Sequence, residues 1–437
     1  MEEVIIFWFR RDLRIEDNIG LQIALKENKH VLPLFIFDTN IMRKLDNKND
    51  LRIYFIYKKL GELKKECEEW GSSLLVLEGT PLDVFKRICL KYKIQKVYSN
   101  EDYEPYSLER DQAIKLFLND QKIGFFLSKD HVIFSPSEIL KSDQSPYTIY
   151  TPFSNTWKKR LANPEPSTPL EYKYFKNFFK TAPFPIMPIE ALGFRKSTFN
   201  FPDENIPNDI IQNYSKTRDY PHLEQGCTKL GLHLRFGTIS IRKLVNIALQ
   251  YDPCYLNELI WREFFISILF HFPKTAEESF RSKMRYFKWQ NDDKMFEKWC
   301  KGQTGFPFVD AGMRQLNASG YMHNRLRMVV ASFLTKHLLI DWRWGEAYFA
   351  KKLLDYEAAS NIGNWQWAAG TGCDAAPFFR IFNPELQSQK FDPENIYTRK
   401  WIPELDTSDY PKPIVEHAFA RQRALQAYQE TKLHNKK

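Results

Sequence analysis

A carboxylate and a guanidinium stand out in a run of otherwise apolar residues. YLNELIWREFFISILF (255–270) has the spacing of a buried helix, yet it carries Glu258 and Arg262 four positions apart, with Trp261 on the same face. Burying either charge is costly unless something answers it. The answer is either an intrahelical ion pair, worth a few tenths of a kcal/mol, or a ligand with hydrogen-bond donors. A second cluster lies in MHNRLRMVVASFL (322–334), where His323, Asn324, Arg325 and Arg327 share one turn and Met328 follows Asn324 at i+4. It reads either as a capped helix start with solvated charges or as a cleft wall. In the second reading an amide, a guanidinium and a thioether meet a planar, phosphate-linked base. In LLDYEAASNIGNWQWAAGTGCDAAPFFRIFNP (353–384), Asp355, Glu357 and Asn361 precede Trp365 and Trp367. The Gly/Ala-rich setting suggests a close-packed turn whose carboxylates accept from a heterocycle or a ribose; lone acidic caps are the alternative. GCTKLGLHLRFG (226–237) places small and hydroxyl residues before a helix carrying Arg235, a weak phosphate-cradle pattern without P-loop spacing.

These residues need elements to hold them. Over the first 130 residues, short apolar β-branched and aromatic runs at 4–9, 31–37, 74–77 and 96–99 alternate with helical spacing at 19–28 and 51–70. That alternation predicts an α/β domain with a doubly wound parallel sheet. No GxGxxG follows the first strand, so a dinucleotide fingerprint is missing there. Eight prolines between 164 and 207 predict a connector that packs along a surface. Beyond 208, helical periodicity at 240–250, 255–270, 308–319, 323–339, 345–356 and 414–430 predicts an all-α domain. The expected organisation is therefore 1–130 α/β, 131–207 connector and 208–437 helical.

Composition narrows the partners. The 437 residues carry a formal charge of +9, which favours polyanions. Of eleven tryptophans, eight lie after residue 250, so ring stacking on a flat cofactor or base belongs to the helical half. No apolar run approaches the roughly 20 residues of a membrane span. The six cysteines form no CxxC pair and no zinc-like grouping with histidine, so neither a metal nor a disulfide framework is expected. The opening MEEVIIFWFRRDLR is acidic before its apolar segment, the reverse of a secretory signal, and a cytoplasmic location follows as an expectation.

Six strings together resemble the photolyase/cryptochrome family, in particular class I cyclobutane pyrimidine dimer photolyases. They are FWFRRDLRIEDN (7–18), NELIWREF (257–264), TGFPFVDAGMRQLNASGYMHNRLRM (304–328), SFLTKHLLIDWR (332–343), NWQWAAGTGCDAAPFFRIFNP (364–384) and WIPEL (401–405). The resemblance implies a Rossmann-like antenna domain and a helical domain that holds FAD. It implies light-driven repair, in which excited FADH− lends an electron to a flipped-out dimer in double- or single-stranded DNA. It implies cofactor contacts at Tyr214, Thr228, Lys229, Leu230, Gly231, Tyr255, Arg262, Arg327, Asp355, Glu357 and Asn361. Trp365, Trp342 and Trp289 match the family's electron-transfer chain. Glu258, Asn324 and Arg325 match residues that bond the dimer's bases and adjoining phosphate, while Trp261, Trp367 and Met328 pack against it. Arg218, Arg380 and Gln387 match DNA-groove positions. A monomer without metal or membrane attachment is implied.

The departures are specific. Cys227 stands where a hydroxyl residue is usual, Glu357 replaces the commoner Asp, and Tyr255 replaces Trp. DYEPYSLERD (102–111) lacks the Asn-Glu pair of the folate antenna, so the second chromophore is left open among a deazaflavin, another pigment or none. Rival readings are a cryptochrome-like photoreceptor without repair activity, a six-four photoproduct enzyme, which would carry histidine where Asn324 stands, and a flavin-bound single-strand DNA-binding module.

Overall fold

The computed structural model describes residues 2–45, 47–162 and 171–434. Two compact units divide the chain, and neither is continuous in sequence. The first comprises Met1–Glu138, Lys158–Ile206 and Lys229–Ile247; the second comprises Ile139–Trp157, Pro207–Thr228 and Ala248–Lys437.

In the first unit, β1 (Glu3–Phe9), β2 (Val31–Asp38), β3 (Leu75–Gly79), β4 (Lys93–Asn100) and β5 (Gly124–Ser128) form one parallel sheet in the order β3-β2-β1-β4-β5. β1 shows why its sequence is apolar without alternation. Ile5, Phe7 and Phe9 pack into one core with Leu21, Leu25, Leu60 and Leu63, while Val4, Ile6 and Trp8 pack into another with Val84, Phe85, Ile88 and Ile114. A strand covered on both faces has no polar side to show. The sequence pattern marked four of the five strands. β5 escaped it because the strand is short and half-exposed.

The proline-rich stretch is no separate body. Phe175, Phe178, Ile189, Leu192 and Phe194 are buried in the first unit's core, which draws 158–206 into that unit. The segment 139–157 joins the second, so the units do not follow the expected boundaries at 130 and 207. Pro164, Pro166 and Pro169 lie outside the described residues.

The second unit is helical. Its longest member, Pro253–His271, starts where Asp252 accepts from the backbone N–H of Cys254 and Tyr255, with Pro253 at the first helical position. Pro307–Ser319, Asn324–Ser332, Trp342–Lys352, Ala358–Ala369 and His417–His434 supply most of the rest. Two expectations need correction. The helix predicted over 323–339 ends at Ser332 and passes into a π turn, Phe333–His337. The supposed turn around Asn361 to Trp367 is the helix Ala358–Ala369, closed by Gly370 at φ 77°. Its small residues serve close packing instead: a Cβ on Gly363 would lie 2.1 Å from the Phe265 ring.

Lys336 in the π turn is 1% exposed, with its ammonium 3.8 Å from the Tyr428 ring centroid and 3.1 Å from the carbonyl of Ala369. Burial, helped by nearby Arg281, pushes its pKa down to about 7 from the ordinary 10.5. The folded state therefore binds fewer protons than the unfolded chain between these values, and stability rises as pH climbs through that window. Lys336→Met is expected to flatten this rise, measured as thermal midpoint against pH. A slope unchanged by the substitution contradicts the assignment.

Candidate functional site

Four charged pairs organise the second unit, and none of them is the intrahelical pair that the Glu258–Arg262 spacing allowed. Arg262 instead reaches Glu357, Nη2 to Oε1 at 3.0 Å, with side chains 10% and 8% exposed. Arg327 reaches Asp355, Nη2 to Oδ2 at 2.8 Å, and also bonds the carbonyl of Met322 through Nε. Glu258 pairs with Arg218. Arg325 pairs with Asp219 at 2.6 Å. The loop entering Ala358–Ala369 thus offers two carboxylates, each claimed by an arginine from a different helix.

The other expected cofactor residues of the second unit form two groups, Thr228, Tyr255 and Tyr214 beside Arg218, and Asn361 on Glu346. The hydroxyls of Thr228 and Tyr255 lie 3.1 Å apart, and Tyr255 meets Tyr214 edge-on with ring centroids 4.9 Å apart. The Arg218 guanidinium lies over the Tyr214 ring at 5.3 Å. Asn361 donates its amide to Glu346, to Oε1 at 3.0 Å and to the backbone carbonyl at 3.2 Å. Burial raises the Glu346 carboxyl above its ordinary pKa. Lys229, Leu230 and Gly231 belong to the first unit, where Lys229 adopts φ 54°, Leu230 is buried and Gly231 opens the short helix Gly231–Phe236.

One atom bears directly on ligand fit. Asp355 Oδ1 is buried and has no hydrogen-bond partner among the described residues, a costly state for a carboxylate oxygen. A ligand N–H or O–H would satisfy it. The unit's two arginines, two carboxylates, amide and three tyrosine or threonine hydroxyls make a donor and acceptor set whose chemistry fits FAD.

His323 caps Asn324–Ser332 by accepting the Arg325 N–H at Nδ1, 3.2 Å. Burial pushes it down to about 4, so it is a neutral cap, and its Nε2 lies 3.4 Å from the Cys227 sulfur. The cap of the capped-start reading holds but its solvated charges do not, since Arg325 and Arg327 are paired with Asp219 and Asp355; Asn324 is exposed one turn before half-buried Met328, which suits the cleft reading. Trp261 and Trp367 are half-buried, Arg380 is exposed, and Gln387 has a buried Oε1 without a partner among the described residues.

The three expected electron-transfer tryptophans differ in depth. Trp365 is 2% exposed and Trp342 0%, whereas Trp289 is half-buried against Phe287. Gly345, one turn from Trp342, abuts Trp365 so closely that a Cβ there would fall 2.1 Å from the indole. The two helices therefore touch beside the two inner rings.

Four residues escaped the sequence reading. Tyr150 stacks flat on Trp261, with centroids 3.7 Å apart and an interplanar angle of 4°. It lay hidden in the stretch taken for connector. Glu346 and Asp219 carry no motif that sets them apart from other acidic residues in the sequence. Trp299, fully buried, meets Trp365 edge-on at 6.1 Å. Only its place among the clustered tryptophans hinted at it.

Comparison with known proteins bears on all of this. Residues 5–171 match the DNA photolyase family model, and 255–408 match the FAD binding domain of DNA photolyase. A deoxyribodipyrimidine photo-lyase of Synechococcus is 35% identical over 99% of this chain and 98% of its own length. A bacterial class III photolyase from Agrobacterium tumefaciens superposes with a TM-score of 0.86 at 31% identity, covering 99% of this chain and 98% of that one. An archaeal photolyase from Sulfolobus tokodaii, solved with two FAD molecules, gives 0.82 at 33% identity, covering 98% and 100%.

Proposed function

The chain belongs to the DNA photolyase family, and on that premise we propose that it repairs cyclobutane pyrimidine dimers in DNA with light, using FAD. The observation that carries the cofactor half of the reading is Asp355, a half-buried carboxylate held by Arg327 on Oδ2, whose buried Oδ1 has no donor among the described residues. Bound FAD in its reduced form supplies the photoexcited electron donor. The rest of the work falls to this chain's residues.

Arg262–Glu357 and Arg327–Asp355 hold the isoalloxazine and ribose side of the cofactor, their charges already matched so that little reorganises on binding. Tyr214, Thr228 and Tyr255 flank the phosphate and ribityl side. Asn361, whose amide N–H groups are held by Glu346, would face the flavin edge with its carboxamide oxygen at one orientation. Trp261, stiffened by Tyr150 behind it, and Trp367 wall the space taken by the lesion. Glu258 accepts from the dimer's ring N–H groups, and Asn324 supplies a complementary amide. Arg218, Arg325, Arg380 and Gln387 take the backbone beside it. Flipping is a known device of photolyases, and a dimer stacks and pairs poorly, which lowers the cost of extruding it. Trp365, Trp342 and Trp289 relay electrons from the surface to reduce the cofactor. The assignment to class I, as against class III, stays within this proposal. The choice of second chromophore does too, with the two-FAD archaeal relative as one precedent.

Glu258→Ala tests the lesion contact. Loss of a charge-assisted hydrogen bond is expected to weaken dimer binding about tenfold or more, with flavin content retained. Unchanged affinity for a thymine-dimer oligonucleotide contradicts the role given to Glu258.

A further inference from the structure

Two arginines placed on the DNA face are already paired in the free protein, and one of the carboxylates pairing them has no role so far. Arg325 donates from Nη2 to Asp219 Oδ1 at 2.6 Å, while its guanidinium lies 4.1 Å from the Phe391 ring centroid. Arg218 Nε stands 3.9 Å from the same oxygen, and its Nη1 donates to Glu258. Arg218, Glu258, Asp219 and Arg325 thus form a quartet of zero net charge. The Asp219 side chain is 38% exposed, against 16% for Arg325 and 20% for Arg218, so an approaching polyanion meets the carboxylate first.

We propose that Asp219 is a specificity-determining residue that keeps Arg218 and Arg325 from the phosphates of intact DNA until a flipped dimer engages Glu258. The inference rests on the DNA-repair reading above. With intact duplex nothing reaches Glu258, so both arginines stay neutralised and a phosphate must displace Asp219 against like-charge repulsion. With a flipped dimer, the ring N–H donors occupy Glu258 and Arg218 is released from it. The freed guanidinium then offsets Asp219, and the phosphate flanking the lesion is accepted. The quartet links recognition of the base to recognition of the backbone.

The test uses the FAD-loaded full chain with matched duplexes, one carrying a thymine dimer and one undamaged, over a range of salt. Asp219→Asn removes the charge at nearly constant shape. Undamaged DNA is expected to bind about three- to fivefold tighter. Its log–log salt slope is expected to steepen by about 0.9, one more phosphate's worth. Dimer DNA gains less, so the discrimination ratio falls, while Asp219→Glu keeps the parent's ratio. If the parent discriminates and Asp219→Asn discriminates equally or better, this inference is overturned alone. A parent that binds both duplexes equally overturns the repair reading and this inference together.

Discussion

Arg262→Ala is expected to yield a destabilised protein without visible flavin absorbance. Its partner Glu357 is 8% exposed on the side chain, so the truncation takes the arginine from a buried carboxylate that keeps the Ser360 hydroxyl on Oε2. Breaking one side of such a pair typically costs about 3–5 kcal/mol, because the survivor keeps its desolvation penalty and loses its counter-charge. Replacing both partners by apolar residues is far less harmful, which separates folding from binding. Arg262→Met combined with Glu357→Leu is expected to regain most of the thermal midpoint while still failing to retain FAD. A double variant that purifies with a full complement of flavin would refute the placement of this pair beside the cofactor.

Trp342→Phe is expected to abolish photoreduction of the oxidised flavin under blue light with an external donor, while chemically reduced protein still repairs dimers. Trp365 and Trp342 are buried, Trp289 is half-buried, and the Gly345 contact brings the helices of the two inner rings together. Phenylalanine fills a similar space but is much harder to oxidise than indole, so the relay stops while the packing persists. Flavin bleaching at the parent's rate, or loss of repair by the pre-reduced variant, contradicts the relay.

Local pattern carried the architecture further than it carried the site. Val4 to Phe9 announced a buried strand, and the spacing over 255–270 announced a helix, because both signals are local. The charged pairs were not local. Glu258 and Arg262 looked like partners at i, i+4, yet each is claimed from afar, by Arg218 and by Glu357. Spacing along one helix cannot reveal a competitor that tertiary packing delivers. The helix around Asn361 read as a turn because its setting is rich in glycine and alanine. In the fold Gly363 is demanded by the Phe265 ring, which leaves no room for a side chain. Tyr150 was missed because nothing in a proline-neighbouring segment announces that it will stack on a tryptophan 111 residues away. The family strings, by contrast, were legible at once, since they are long and contiguous.

The most direct test of the whole account is dimer reversal itself. Purified holoprotein, reduced and mixed with a thymine-dimer oligonucleotide, is illuminated with blue light beside a dark control, and intact thymines are counted. The expected result is steady recovery in the light, none in the dark, and none when the flavin is left oxidised without a donor. Reduced, flavin-loaded protein that binds the lesion yet restores no thymine under illumination would show that this helical unit senses or shelters damage and does not mend it.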